Sequence, residues 1–550
     1  MFYPIYISDK IIITYAIHPF DICSKYSILW KNLKILYIFV FIFSNFIISN
    51  FLYNTIIPKL QYFKKTFNST NHKQNVSHSK NFVNDLSLLI GLDRTTNSKV
   101  FIPEKGLYQN FLITGTIGSG KTSCAMYPFT KQLIKYNSNH RNNKIGMLIL
   151  DVKGNYYKQI KQYANKYNLQ NDLIVIELNS NVYYNPLHKP NLKPQVLADR
   201  LKTILLLFSE NNTESFWIDK ATQVISESIK LCRLYNKGYV NFLELHKLIT
   251  IPNYYKGKLE YLKTLFVSSK LNQRQIYELN ECLEFFQKEF EVLDSRTKGI
   301  IVSEITRITN TFVSDYDVKN TFCPPKNKLT FKGFSDVINS GKIVVLNMNI
   351  AEYSILSKII ATYLKLDFQS EIMSNLSKNI SKTSAFICDE YDKYASKTDS
   401  EFFSLSREAK CINIISTQSY SSLKNTLRDD SQVRVLVQNL INKIWFRTDD
   451  IFTIEEAQKQ LGKENKEHIS KSISESAKET NYSYLTGTLN SNDSNISETY
   501  STYTQKDYIY DTNFFSQELE TFTALTFLSN GNKILKPKKL KLFPYFEKEV

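Results

Sequence analysis

Residues Gly115, Thr116, Ile117, Gly118, Ser119, Gly120, Lys121, Thr122 and Ser123 read GTIGSGKTS, directly after the apolar run FLIT. The chain has only 15 glycines in 550 residues, and three of them, Gly115, Gly118 and Gly120, fall within six positions here. Glycine permits the backbone angles and close approach that ring a β-phosphate with N–H donors, at a helix N-terminus whose dipole favours anions. At this spacing Lys121 reaches the β- and γ-phosphates and the Thr122 hydroxyl ligates a divalent cation. The stretch therefore predicts a strand, a phosphate-gripping loop and a helix, with ATP and Mg²⁺ as the cofactors.

Such a loop needs carboxylates from another strand, one to hold the metal and one to activate water. Two apolar runs end in acids. GMLILDVKG delivers Asp151, with Lys153 close behind, and SAFICDEYDKYA delivers Asp389 and Glu390. An adjacent acidic pair at a strand end supplies both functions, which assigns Asp389 to magnesium and Glu390 to the water. The roles of Asp151 and Lys153 stay open. Gln418 follows the apolar run CINIIST and is placed to sense a γ-phosphate from a neighbouring strand. Arg407, in SLSREAK, is a candidate arginine finger completing a neighbouring subunit's site.

The elements that must position these groups alternate between strand and helix patterns, which calls for a mostly parallel twisted sheet covered on both faces. Ligands then sit at the carboxyl ends of the strands, where Asp151, Asp389 and Gln418 fall. Asp389 lies 268 positions after Lys121, too far for a minimal nucleotide-binding core. The excess is helical: Ala221, Val224, Ile225, Ile229 and Cys232 recur at three- and four-residue steps behind Thr213 and Ser215. Near the end, residues 463–505 are rich in Ser, Asn, Thr and Glu with little apolar periodicity, and they read as a mobile excursion.

The composition is globular, with 43% hydrophobic residues and a formal charge of +17 that suits phosphate backbones or anionic lipid. Seven cysteines without metal-ligand spacing read as reduced thiols. Residues 35–57 carry no charge and are long enough to span a bilayer as a helix. Lys59, Lys64, Lys65, Lys73 and Lys80 follow with no acid among them, which favours a cytoplasmic carboxyl-terminal side. Residues 1–20 could form a second, poorer span, but Asp9 and Lys10 at its middle, each costing about 2.5–3.5 kcal/mol on insertion, argue against it and for a single pass.

In this order the motifs resemble the type IV coupling proteins, the TraG/TraD-type membrane ATPases of bacterial conjugation and secretion. The matching residues are the loop, Pro128, LILDVKGNYY, YYNPL at 183–187, ESFWIDKA around Trp217, Asp389-Glu390, SREAKCINIISTQS and NLINKIWFRTDD followed by AQKQLGK. Val152 stands where the family usually has proline, and Asn155 where it usually has glutamate. The expected fold is α/β: a RecA-like P-loop NTPase with an inserted all-α domain and an N-terminal transmembrane helix. The expected order is an N-terminal segment at 1–34, the span at 35–57, a polar tether at 58–91, nucleotide-binding parts at 92–201 and 331–550, and the all-α domain at 202–330. The resemblance implies a homo-hexamer anchored in the bacterial inner membrane, with its ATPase body in the cytoplasm. It also implies single-stranded DNA with its relaxase as cargo, and contact with type IV secretion channel components. Competing readings are a coupling ATPase for protein alone, a double-stranded DNA pump of the chromosome-partitioning type, and a membrane receptor with an inactive nucleotide site.

Overall fold

A computed structural model describes residues 86–547, apart from breaks at 141–142, 209–214, 269, 378–381, 477–480, 483–488 and 491–494, together with Leu36, Val40, Phe43 and Ser44. The chain divides into two compact units, residues 1–85 and 86–550. In the first unit, Leu36, Val40 and Phe43 are helical and expose their apolar side chains. Among the described residues no helix is long and apolar enough to cross a membrane. Apart from those four residues, the expected span at 35–57, the poorer one at 1–20 and most of the tether lie outside the described residues.

The second unit is built on one eleven-stranded sheet. Its strands, in chain order, are β1 (Ser87–Asp93), β2 (Lys99–Pro103), β3 (Phe111–Thr114), β4 (Gly146–Leu150), β5 (Leu173–Ile176), β6 (Ile343–Leu346), β7 (Ser384–Cys388), β8 (Cys411–Thr417) and β9 (Asn442–Trp445), closed by β14 (Thr523–Phe527) and β15 (Lys538–Lys541). The spatial order is β2-β1-β15-β14-β9-β3-β8-β7-β4-β6-β5. From β9 to β5 every neighbouring pair is parallel. The other end, β14, β15, β1 and β2, pairs antiparallel. Strand β1 begins at Ser87, so the last residues of the expected tether belong to the sheet.

Strands buried on both faces read as continuous apolar runs, and β3, β4, β6, β7 and β8 are buried at every position. Successive side chains point to opposite faces. Phe111, Ile113, Met147, Ile149, Ala385 and Ile387 therefore enter one core, with helices α1 (Tyr127–Lys135) and α2 (Tyr156–Lys166). Leu112, Leu148, Leu150, Phe386 and Cys388 enter the other.

Between β5 and β6 the chain leaves the sheet and forms helices only, from α3 (Pro194–Phe208) and α4 (Ser215–Tyr235) to Tyr316–Phe322. Helix α3 opens eight residues before the expected domain boundary at 202. The apolar stripes of these helices join the second core. The long helix α5 (Ile350–Ser377), broken at Ser354, lies between that block and the sheet. Its buried Asp367 accepts from Lys189 Nζ at 2.5 Å, Arg200 Nη1 at 3.0 Å and the Tyr184 hydroxyl at 3.1 Å.

The polar segment 463–505 differs from expectation. Strands β10 (Lys463–Ser476) and β13 (Asn495–Tyr508) pair antiparallel without a register break, enclosing the short pair β11 (Asn481–Tyr482) and β12 (Leu489–Asn490). Backbone N–H and C=O groups pair without needing an apolar face. A ribbon therefore forms where apolar periodicity gave no sign of one.

Candidate nucleotide site

Strand β3 lies between β8 and β9, and its loop is held from both sides. Gly115 N–H donates to Gln418 O at 3.2 Å and Thr116 N–H to Arg447 O at 2.8 Å. Gly120 has a φ of 104°, and a Cβ there would stand 2.7 Å from the Phe522 ring. The residue can only be glycine without a shift of the chain. Ile117 is at the exposed tip of the loop, while Ser119 is buried and donates its hydroxyl to Thr116 O at 2.7 Å.

The chain then enters a helical turn at Lys121. The Lys121 side chain folds back along the loop, donating to Gly115 O and, at 3.0 Å, to Thr116 O. Burial pushes the Lys121 ammonium below its ordinary pKa, partly offset by the nearby Asp389 and Glu390. Thr122 Oγ1 donates to Asp389 Oδ2 at 2.8 Å. This one contact brings the loop and the acidic pair together across β8, which runs between their strands.

Asp389 is buried at the end of β7. Its other oxygen accepts from the Ser416 hydroxyl on β8 and from Glu390 N–H at 3.1 Å. A carboxylate and a hydroxyl so placed fit a hard cation, which takes oxygen ligands and keeps several waters. Glu390 adopts the left-handed region, φ 49°, and its Oε1 lies 2.7 Å from Lys153 Nζ. The segment beyond Glu390 is locked in place: Lys365 Nζ, on α5, donates to Tyr394 O at 2.6 Å, Ser396 Oγ at 3.0 Å and Asp399 Oδ2 at 2.6 Å. Gln369 and Tyr391 also donate to Asp399.

Asp151 does not touch Thr122. Its carboxylate accepts the backbone N–H groups of Lys153, Asn155 and Tyr156 at 2.9–3.0 Å, which shapes the turn from β4 into α2. Burial raises its pKa despite those bonds. The two departures from the expected motif fall in this turn. Val152 is buried, and Asn155 gives Asp151 its N–H. The lysine between them reaches the acid pair.

A family model, the TraM recognition site of TraD and TraG, matches residues 384–509, from β7 to the end of β13. Among solved structures, the unbound bacterial conjugative coupling protein TrwBdeltaN70 superposes with a TM-score of 0.52 at 14% identity, over 83% of this chain and 93% of that one. The plasmid coupling protein TrwB in complex with ADP and Mg²⁺ gives 0.52 at 13%, over 84% and 97%. The complex of the same protein with the GTP analogue GDPNP gives 0.52 at 14%, over 84% and 95%. The chain has the fold of a conjugative coupling protein. No curated protein matches it.

Within this coupling-protein fold, Gln418 stands at the carboxyl end of β8, between the loop and the acidic pair, and its carbonyl receives the Gly115 N–H. Arg407 is not brought to the site. It is exposed on the turn that precedes β8, at the amino end of a strand about 20 Å long, whereas the loop and the acidic pair stand at the carboxyl end. Sequence reasoning missed Ser416, the Lys153 contact and the carboxyl-terminal backing of the loop. In that backing, Phe522 N–H donates to Ser119 O at 3.3 Å and Tyr545 N–H to Ser123 O at 2.8 Å. Ser416 could have been found from its place two residues before Gln418 on the strand beside β7.

Proposed function

We propose that the chain is a membrane-anchored ATPase that couples ATP hydrolysis to the recruitment and translocation of single-stranded DNA, alone or with its relaxase, into a type IV secretion channel. The observation that carries this reading is the 2.8 Å contact between Thr122 and Asp389, with Glu390 next in the chain. The coupling-protein fold and the match to a partner-recognition model over 384–509 support it.

The loop's N–H groups and Lys121 bind and orient the phosphates, since Lys121 exchanges its loop carbonyls for phosphate oxygens. Mg²⁺, when bound, neutralises charge on the β- and γ-phosphates. Thr122 and Asp389 would hold it, and Ser416 fixes the orientation of Asp389. Glu390 takes a proton from the attacking water at its carboxylate. Its partner Lys153 keeps that carboxylate in place, and Gln418 lies one strand away to report the state of the γ-phosphate. Arg407, exposed and remote from its own site, is free to enter a neighbouring subunit's site in a hexameric ring.

The uncharged stretch 35–57 supplies the anchor in the inner membrane, and the surplus of Lys and Arg supplies a sequence-independent grip on the DNA strand. The test is ATP turnover of the chain with and without single-stranded DNA across a salt series. Stimulation that fades as salt rises is expected. Turnover indifferent to DNA at every salt concentration would remove the DNA cargo and leave a coupling ATPase for protein alone.

A further inference from the structure

Strand β9 alternates Ile444 into the core shared with α1 and α2, and Lys443 and Trp445 to the opposite face. On that face a cavity of about 560 Å³ opens between β9, β14 and the helices Asp430–Asn439 and Ile451–Leu461. Its walls are apolar over most of their area, formed by Val433, Val437, Ile441, Phe452 and Phe527, with Ile534, itself 45% exposed, and the amides of Gln438 and Gln460 also lining it.

Lys443 lines this cavity while only 3% exposed. Its ammonium lies 6.0 Å from the centre of the Phe527 ring and meets neither a carboxylate nor another hydrogen-bond acceptor among the described residues. Burial alone lowers its pKa to about 8. The other charged or titratable side chains around the cavity are Tyr420, Arg434, Glu456 and Lys459. The single acid, Glu456, is already engaged by Arg434 at 3.3 Å and Lys459 at 3.1 Å. Three cations thus line the cavity with one carboxylate, a second acid, Glu455, meets Lys459 at 3.8 Å from outside the lining, and the deepest cation has no partner. A buried, unpaired ammonium is costly unless a counter-charge meets it. An apolar cavity holding one such group suits a ligand that is itself apolar with one negative charge.

We propose that this cavity is a docking site for a peptide segment of a protein partner, which inserts an apolar side chain and a neighbouring carboxylate, with Lys443 as the buried counter-charge. The apolar walls disfavour a phosphodiester strand, which would lose hydration at every phosphate and find a single buried cation. None of the nucleotide-loop residues lines the cavity, so the proposal stands apart from the motor reading.

The experiment titrates the purified full chain with a fluorescein-labelled Gly-Phe-Asp-Phe-Gly peptide and with its Asn counterpart, following anisotropy. The Asp peptide is expected to bind at least tenfold more tightly. Lys443→Met should bring it down to the Asn peptide's level while ATP turnover is unchanged. Because the carboxylate needs the protonated ammonium, affinity is expected to fall about tenfold between pH 7 and pH 9 as Lys443 loses its proton. Equal binding of the two peptides, or undiminished binding to Lys443→Met, overturns the proposal, as does displacement of the peptide by a short oligonucleotide. Should Lys443→Met fail to fold, Val437→Trp, which fills the cavity and keeps the lysine, must abolish binding; retained binding overturns the proposal equally.

Discussion

Thr122 and Asp389 are 267 positions apart in the chain and 2.8 Å apart in space, and the chemistry of the site turns on that closure. Lys121→Ala removes the charged donor aimed along the loop. Its turnover is expected to fall by about 10²–10³, the loss typical when one preorganised donor to a developing charge is deleted. Glu390→Gln keeps the shape and removes the base, so it should retain nucleotide binding and lose about 10²–10⁴ in turnover. Equilibrium binding of a fluorescent ATP analogue, measured beside turnover, separates the two variants. Much of this was legible in the sequence, because a phosphate loop and an acidic pair at a strand end are local patterns. The Ser416 hydroxyl on Asp389 and the Lys153 ammonium on Glu390 were not. Both contacts depend on β8 and β4 flanking β7, and no local pattern states which strands are neighbours. Nor does any local pattern state that Arg407 and Gln418 flank opposite ends of β8.

At the scale of elements, two buried ion clusters on α5 hold the body together. Lys365 and Asp399 are both fully buried and stitch α5 to the segment after Glu390. Removing one partner strands the other charge, so Lys365→Met is expected to lower stability by about 3–5 kcal/mol, read from the urea midpoint. Asp367 joins α5 to the helical block. Burial alone would raise its pKa, but the charges of Lys189 and Arg200 outweigh burial and hold it below the ordinary carboxylate value. A lowered carboxylate contributes stability that is present above its unfolded pKa of about 3.9 and lost as pH falls through the folded value. Protection factors of amides in α3 and α5, which allow for the intrinsic slowing of exchange in acid, should therefore drop below about pH 4, and Asp367→Asn should show lowered protection already at neutral pH. The buried strands announce themselves as apolar runs, and the helices between β5 and β6 as stripes. The ribbon of β10 and β13 does not, because its order comes from main-chain pairing along a mostly polar segment with no buried apolar face among the described residues to give it a pattern.

Taken whole, the chain joins a body with a coupling-protein fold to an amino-terminal region that the sequence reads as an anchor. Deleting residues 1–63 is expected to release the body from membranes with its ATP site intact and its self-association weakened. Fractionation and sedimentation measure both effects, and a truncated chain that stayed with the membrane would remove the anchor. The loop that begins the mechanism is fastened to its surroundings by amide and carbonyl groups, at Gln418 on one flank and Arg447 on the other. Those tethers belong to the polypeptide spine, so drift in side-chain identity leaves them untouched. Any displacement of the loop is thereby handed to the tips of two adjoining strands, one ending at Gln418 and the other descending from the lysine of the apolar cavity.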